Sequence, residues 1–218
     1  MVSKVAVRPG VRCAEAGAAT PNFLRAAVRN PQRIGAIAPS SARLAALLAS
    51  VVPTEGEPVV VELGPGTGAV STAIAAVLPR QAQHLAVELD PGMAAFLRRR
   101  HPDLDVIDGD AHALGELLAA RDISRVAAVV SGLPWSLFDS GSHQRILQQV
   151  AEAIGADGVF TTFAYAHTKR FSGARGFRRS LEQTFSDVHI SRIVWRNMPP
   201  AFAYVCRGPR LPAISANP

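Results

Sequence analysis

Cysteine is nearly absent. The 218 residues hold two, Cys13 and Cys206, too few and too far apart for a disulfide framework or a metal-binding pair. A reducing, cytoplasmic setting is therefore expected. A long apolar run is missing too: the longest charge-free stretch, Leu63 to Pro79, has 17 residues and is broken by Gly64, Gly66 and Gly68, so it is too short and glycine-rich to span a bilayer. The opening MVSKVAVRPGVRCAEAGAAT lacks the apolar segment of a secretory signal, and residues 1–20 read as a mobile tail. His101, His112, His143, His167 and His189 are scattered without ligand spacing, so no metal is expected. Ser131, Ser136 and Ser140 have no partnered His and Asp, which argues against a hydrolase.

Acidic residues are scarce at both ends. Residues 1–43 carry seven basic residues and one acidic, and residues 165–218 carry nine and two; the middle, 44–164, has seven and fourteen. Basic ends around an acidic centre suggest a surface that meets an anionic membrane face or nucleic acid.

Short β-rich runs at 59–63, 84–89, 104–108, 125–131 and 158–164 alternate with helical patterns at about 69–78, 91–100, 111–120 and 141–154. That alternation is the pattern of a parallel, doubly wound α/β sheet. A further helix at about 174–184 precedes two strand-like runs, 186–195 and 201–207, with no helix between them. The expected fold is a Rossmann-like, seven-stranded class I methyltransferase sheet with helices on both faces. Residues 21–52 are expected as an N-terminal helical appendage, 53–210 as the methyltransferase domain and 211–218 as a C-terminal tail. Within 21–52, Ser40 or Ser41 caps a helix from Ser41 to Val52, with Leu44, Leu47, Leu48 and Val51 at core spacing.

Glu62-Leu63-Gly64-Pro65-Gly66-Thr67-Gly68 follows the first strand directly, and its glycines allow a tight turn and close backbone approach to a ligand. Gly64, Gly66 and Ala69 also satisfy the dinucleotide pattern, so neighbouring residues must decide. Glu62 places a carboxylate where an amino-acid ammonium would be attracted and a pyrophosphate repelled. That favours S-adenosyl-L-methionine as cofactor. Glu88, at the end of the second strand, would accept both ribose hydroxyls, and Asp110, after the third, the adenine amino group. Ser41, Thr67, Leu89, Ala111 and Ser131 complete the expected cofactor set.

Ser131-Gly132-Leu133-Pro134-Trp135 closes the fourth strand on the same sheet edge. Amine methyltransferases often carry Asn/Asp-x-Pro-Tyr/Phe here, holding the amine by a side-chain oxygen and a backbone carbonyl. Gly132 removes that side-chain acceptor. Pro134 fixes the turn, the Leu133 carbonyl would orient the amine, and Trp135 would face a cationic nitrogen as it gains methyl groups, unless its ring belongs to the core.

These segments, with Asn30-Pro31, Gly35-Ala36-Ile37-Ala38-Pro39-Ser40-Ser41 and Trp195-Arg196-Asn197-Met198-Pro199-Pro200-Ala201, make the chain resemble the bacterial phospholipid N-methyltransferases from about Phe23 to Gly208. The resemblance implies stepwise methylation of phosphatidylethanolamine towards phosphatidylcholine by a peripheral protein on the inner face of the membrane. It also implies that Tyr165, in Phe163-Ala164-Tyr165-Ala166, lies at the reaction site, where the family reads Phe-Thr-Tyr-Gly. The ribosomal-RNA adenine dimethyltransferases, with Asn-Leu-Pro-Tyr at the loop, are the second resemblance, and a small-molecule amine methyltransferase stays open.

For a lipid substrate the amino-terminal region offers a short helix from Thr20-Pro21 to Asn30-Pro31. Phe23, Leu24, Ala27 and Val28 form an apolar face, Arg25 and Arg29 project from another, and Arg33 follows the break. Such a segment lies in a headgroup layer or packs on its own domain. Lys169 and Arg170, just past Tyr165, are the further candidates for lipid phosphate contact. The expected partner is an anionic membrane surface, without an obligate protein partner.

Overall fold

The computed structural model describes residues 40–210, the side chains of Lys169 and Arg170 excepted. The expected helix at 21–30 with Arg25 and Arg29, the following Arg33, and both tails lie outside the described residues. Seven strands form one sheet: β1 (Val59–Leu63), β2 (Gln83–Glu88), β3 (Asp105–Asp108), β4 (Ala128–Ser131), β5 (Val159–Tyr165), β6 (Phe185–Ile190) and β7 (Ala201–Pro209). Their order is β3-β2-β1-β4-β5-β7-β6. The first five pair in parallel, and β7 runs antiparallel between β5 and β6.

The helices are α1 (Ala42–Ala49), α2 (Ala69–Ala75), α3 (Pro91–Arg100), α4 (Leu114–Ala119), α5 (Ser140–Ile154) and α6 (Ser172–Thr184). Their ends obey local chemistry: the Ser41 hydroxyl accepts from the Leu44 amide at 3.3 Å, Asp90 from Gly92 and Met93, and Asp139 from Ser142 at 2.7 Å, each satisfying amides that lack an intrahelical partner.

Side chains alternate along a strand, so β1 feeds two layers. Val61 and Leu63 join Leu114, Ile146, Leu147, Val150, Phe160 and Leu181 beneath α4, α5 and α6. Val60 joins Leu44, Leu48, Val70 and Ile74 beneath α1 and α2, while α3 packs Ala94 and Leu97 on Ala86 and Val106. Each fully buried leucine or isoleucine contributes about 1.5–3 kcal/mol before the entropy of ordering is subtracted. Leu44 and Leu48 are wholly buried in this core, so α1 is an integral part of the domain.

Three of the differences from the expected elements have a local cause. The helix at 111–120 opens as a 3-10 turn, Ala111–Ala113, because Asp110 accepts from the His112 amide at 2.9 Å before α4 begins. The strand expected from residue 125 starts at Ala128; ahead of it Val126 donates instead to the Ala153 carbonyl at the end of α5. The strand expected to reach residue 195 ends at Ile190. There the Ser191 hydroxyl accepts from the Ala203 amide at 2.9 Å, a side chain taking the place of a strand carbonyl, and the chain leaves the ladder.

Candidate active site

Because β1 to β5 are parallel, their carboxyl ends lie on one edge, which gathers Leu63, Glu88, Asp108, Ser131 and Tyr165. Ligands bind in the crevice outside such an edge. The loop Gly64–Gly68 turns there into α2, with left-handed backbone at Gly64, Gly66 and Gly68. Gly66 has φ +55°, and a side chain there would meet nothing within 4 Å. The bare backbone thus faces open space in a conformation that glycine adopts without strain. Thr67 at its tip is exposed.

The three expected acids have distinct settings. Glu62 is 1 % exposed, and its Oε2 lies 3.4 Å from His84 Nε2 without a hydrogen bond to it. Among the described residues that oxygen has no hydrogen-bond partner. Glu88 is 4 % exposed and accepts from the Asp90 amide at 2.9 Å. Burial pushes its carboxyl above the ordinary glutamate range, partly opposed by backbone donors at Asp90, Gly66 and Leu89. Asp110 accepts from His112 twice, at the amide (2.9 Å) and at Nδ1 (2.7 Å); the His112 hydrogen bond above all holds its carboxyl below the usual range. Leu89 is half-buried and Ala111 buried beside these acids.

An orphaned buried carboxylate oxygen, a second buried carboxylate held by backbone donors, and an open glycine turn fit S-adenosylmethionine. Glu62 would meet its ammonium, Glu88 its ribose hydroxyls and Asp110 its adenine. Among the described residues no three His, Cys, Asp or Glu are placed to hold a metal ion.

The loop after β4 is built tightly. A Cβ at Gly132 would lie 2.5 Å from the Gly64 carbonyl oxygen, so the two loops touch backbone to backbone. The Ser131 hydroxyl accepts from the Leu133 amide at 3.2 Å, and the residue is wholly buried. Ser131 thus shapes the turn at the edge where its contact with cofactor is expected.

Of the two readings of Trp135, the ring belongs to the core. It is 3 % exposed, stacks on Phe177 at 4.5 Å, and meets Phe138, His143 and Phe160. Its indole N–H donates to Thr162 Oγ1 at 2.8 Å, and that hydroxyl donates to the Ser131 carbonyl at 3.0 Å. His143 Nε2 sits 2.7 Å from the Trp135 carbonyl, and burial pushes the imidazole below its usual range, which keeps it neutral with Nε2 as donor. The tryptophan anchors the loop from beneath instead of facing substrate.

Backbone acceptors in the loop are mostly spent. The carbonyls of Leu133 and Pro134 accept from Trp135 and Leu137. Among the described residues no backbone amide outside the helices and strands donates to the Gly132 carbonyl, beside Leu133.

Tyr165 ends β5, half-buried, with Phe163 edge-on at 5.5 Å and His167 stacked at 5.8 Å. Burial raises its phenol above the ordinary tyrosine range, so at neutral pH it is a protonated hydroxyl rather than a base. Lys169 and Arg170 lie in the 3-10 turn that follows, with side chains outside the described set.

Asn197 is a contributor to which no role was assigned from sequence. It is 3 % exposed; its Oδ1 accepts from the Ser41 amide at 2.9 Å and its Nδ2 donates to the Pro199 carbonyl at 2.7 Å. One amide thereby ties the start of α1 to the 195–200 loop, while the Ser41 hydroxyl is engaged as helix cap. The signal was a lone side-chain amide beside Met-Pro-Pro, in a loop with no other side-chain acceptor.

A reversed strand inserted beside the last parallel one, on a sheet with this glycine turn, separates the fold from the dinucleotide dehydrogenases and defines the class I S-adenosylmethionine-dependent methyltransferases. A methyltransferase-domain family model matches residues 60–158. Solved structures of similar fold include a precorrin-6y C5,15-methyltransferase from Geobacter metallireducens (TM-score 0.58, 15% identity, 76% of this chain and 88% of that one). A fibrillarin from Aeropyrum pernix with natively bound S-adenosyl-L-methionine is another (TM-score 0.54, 13% identity, 74% and 72%). In sequence, the chain is 32% identical over 189 residues to an ornithine lipid N-methyltransferase of Singulisphaera acidiphila, covering 85% of this chain and 94% of that enzyme. The chain belongs to that enzyme's family and is an S-adenosylmethionine-dependent N-methyltransferase.

Proposed function

We propose that this enzyme methylates the primary amine of a membrane lipid, phosphatidylethanolamine, and then its methylated forms towards phosphatidylcholine. The observation that carries the lipid reading is the 32% identity to a lipid N-methyltransferase across nearly all of that protein. The resemblance of Ser131–Pro134 and Trp195–Ala201 to the phospholipid N-methyltransferases favours phosphatidylethanolamine. An ornithine lipid amine is the second reading, favoured by the relative's own substrate. A flipped adenine fits less well: the acceptor side chain it would use has no room, since even a Cβ at Gly132 meets the Gly64 carbonyl.

S-adenosylmethionine, when bound, supplies an electrophilic methyl group on a sulfonium sulfur. The chain's own task is alignment, bringing the amine nitrogen to roughly 3–3.5 Å in line with that carbon. A lipid ammonium titrates at about 10, like lysine, so a proton must leave before the lone pair is free. On the primary and monomethylated amines the Gly132 carbonyl and the Tyr165 hydroxyl oxygen accept from the N–H groups that remain and aim the lone pair. With its phenol held protonated by burial, Tyr165 orients the amine while the proton passes to water. The N–C bond then forms as the C–S bond breaks.

The test is methyl transfer from labelled S-adenosylmethionine to three acceptors in parallel: anionic vesicles with phosphatidylethanolamine, the same vesicles with ornithine lipid, and total RNA. Label in the phosphatidylethanolamine is the expected result. Label in ornithine lipid alone selects the second reading, and label in RNA alone overturns both.

A further inference from the structure

Apolar exposure on this protein is concentrated. Met198 is 77 % exposed, Trp195 73 % and Phe171 59 %, whereas no other large apolar side chain among the described residues exceeds 38 %. Single exposed apolar residues are ordinary, but these three share an edge. Tyr165 pairs with Ala201, Ala201 bridges to Val194, and the Ala166 amide donates to the Pro200 carbonyl at 2.8 Å. The loop bearing Trp195 and Met198 therefore borders the end of β5. Phe171 reaches the same place through rings: Tyr165 stacks on His167, which meets Phe171 edge-on at 6.4 Å.

Nor is the display loose. Asn197, between Trp195 and Met198, is buried and bonded on both sides, so the two exposed side chains project from a pinned turn. Holding three large apolar groups in water beside the site is unfavourable unless something covers them.

Charge indicates what does. Arg192 and Arg196 flank Trp195, are exposed, and pair with no carboxylate among the described residues. Residues 165–218 hold nine basic residues against two acidic. A tryptophan between arginines suits a headgroup layer, the ring at the acyl boundary and the guanidinium groups on phosphates.

We infer that Phe171, Trp195 and Met198, with Arg192 and Arg196, form the surface by which the enzyme seats on an anionic lipid bilayer, with Tyr165 at the interface. This rests on the aminolipid reading above and adds where the bilayer lies. The amine then reaches the site while its acyl chains stay in the membrane.

The two tryptophans make the test direct, since Trp135 is buried and Trp195 exposed. The full-length protein is titrated with phosphatidylethanolamine–phosphatidylglycerol vesicles carrying brominated acyl chains. Trp195 emission should shift to the blue and be quenched, and Trp195→Phe should abolish the change. Phe171→Ser, Trp195→Ser and Met198→Ser should each weaken vesicle partitioning on the order of tenfold. Cofactor affinity and circular dichroism should stay unchanged. The ratio of turnover on vesicles to turnover on monomeric dihexanoyl phosphatidylethanolamine should fall in step.

Vesicle lipid methylated with no quenching and an unchanged ratio would overturn this surface and leave the substrate reading standing. No methylation of either lipid form would overturn that reading and this inference with it. Blue emission before any vesicle is added would mean that another part of the chain, a second copy or another protein covers Trp195, and would overturn the surface as well.

Discussion

Replacing Glu88 with Gln should move stability and cofactor affinity in opposite directions. The carboxylate is 4 % exposed at the end of β2, and burial raises its pKa. Its charge therefore disfavours the folded state without ligand. A raised folded value means the penalty is absent below pH ~4, where the group is protonated folded or unfolded, and grows as pH rises through the shifted range. Glu88→Gln keeps an acceptor for the Asp90 amide and removes the charge. The ligand-free variant should melt higher than wild type at pH 7.5, by a margin that vanishes towards pH ~4. With S-adenosylmethionine the sign reverses. Hydroxyl bonds to a carboxylate contribute about 1.5–3 kcal/mol each against about 0.5–1.5 for a neutral acceptor, so losing the charge costs roughly 1–3 kcal/mol and raises Kd about 5- to 150-fold. Calorimetry at pH 7.5 and thermal melts across pH 4–8 read both effects. An unchanged Kd would remove Glu88 from the ribose site, and a lower ligand-free melting point at pH 7.5 would refute the burial argument.

Tyr165→Phe retains the ring packed on Phe163 and His167 but loses the hydroxyl, so turnover should fall about tenfold or more while cofactor affinity holds; equal turnover would show that the hydroxyl orients nothing. Gly132→Ala drives a methyl into the Gly64 carbonyl, which as backbone cannot swing aside. It should lose about 1–3 kcal/mol of stability and weaken cofactor binding through the displaced glycine turn, measured by denaturant melts and calorimetry. Asn197→Ala leaves the Ser41 amide unpaired and should lose about 1–3 kcal/mol. Asn197→Asp keeps the acceptor for Ser41 but sets a buried carboxylate against the Pro199 carbonyl, so at pH 7 it should be no more stable than the alanine variant.

The sheet was legible because its signals are local. Each strand from Val59 to Tyr165 is a short β-rich run, each helix repeats its apolar positions at helical spacing, and Ser41, Asp90 and Asp139 mark helix starts within three residues of the amides they cap. The carboxylate positions followed from the same logic, since they close strands already located. Trp135 did not follow. Whether a loop aromatic turns outward or inward depends on Thr162 and Phe177, 27 and 42 residues further along, and no local pattern carries that. The Asn197–Ser41 clamp spans 156 residues and was equally invisible, although both ends lie in segments that drew notice. Ser191 ended β6 early through its hydroxyl, against a run whose composition continues to favour a strand.

The place of β7 sets an order of events during synthesis. Tyr165 is on β5, but the strand that fixes its outer edge begins at Ala201 and pairs through Cys206. A ribosome adding about 5–20 residues per second needs several seconds to pass from one to the other. Throughout that interval β5 has an unpaired edge, and its backbone donors and acceptors are open to other strands. The glycine turn and the acids of β1 to β3 lie wholly upstream, so the cofactor half of the site has its sequence complete first. The half proposed to receive the amine waits for β7, and a nascent chain stalled before Ala201 would hold the glycine turn and its acids with the edge of β5 still open.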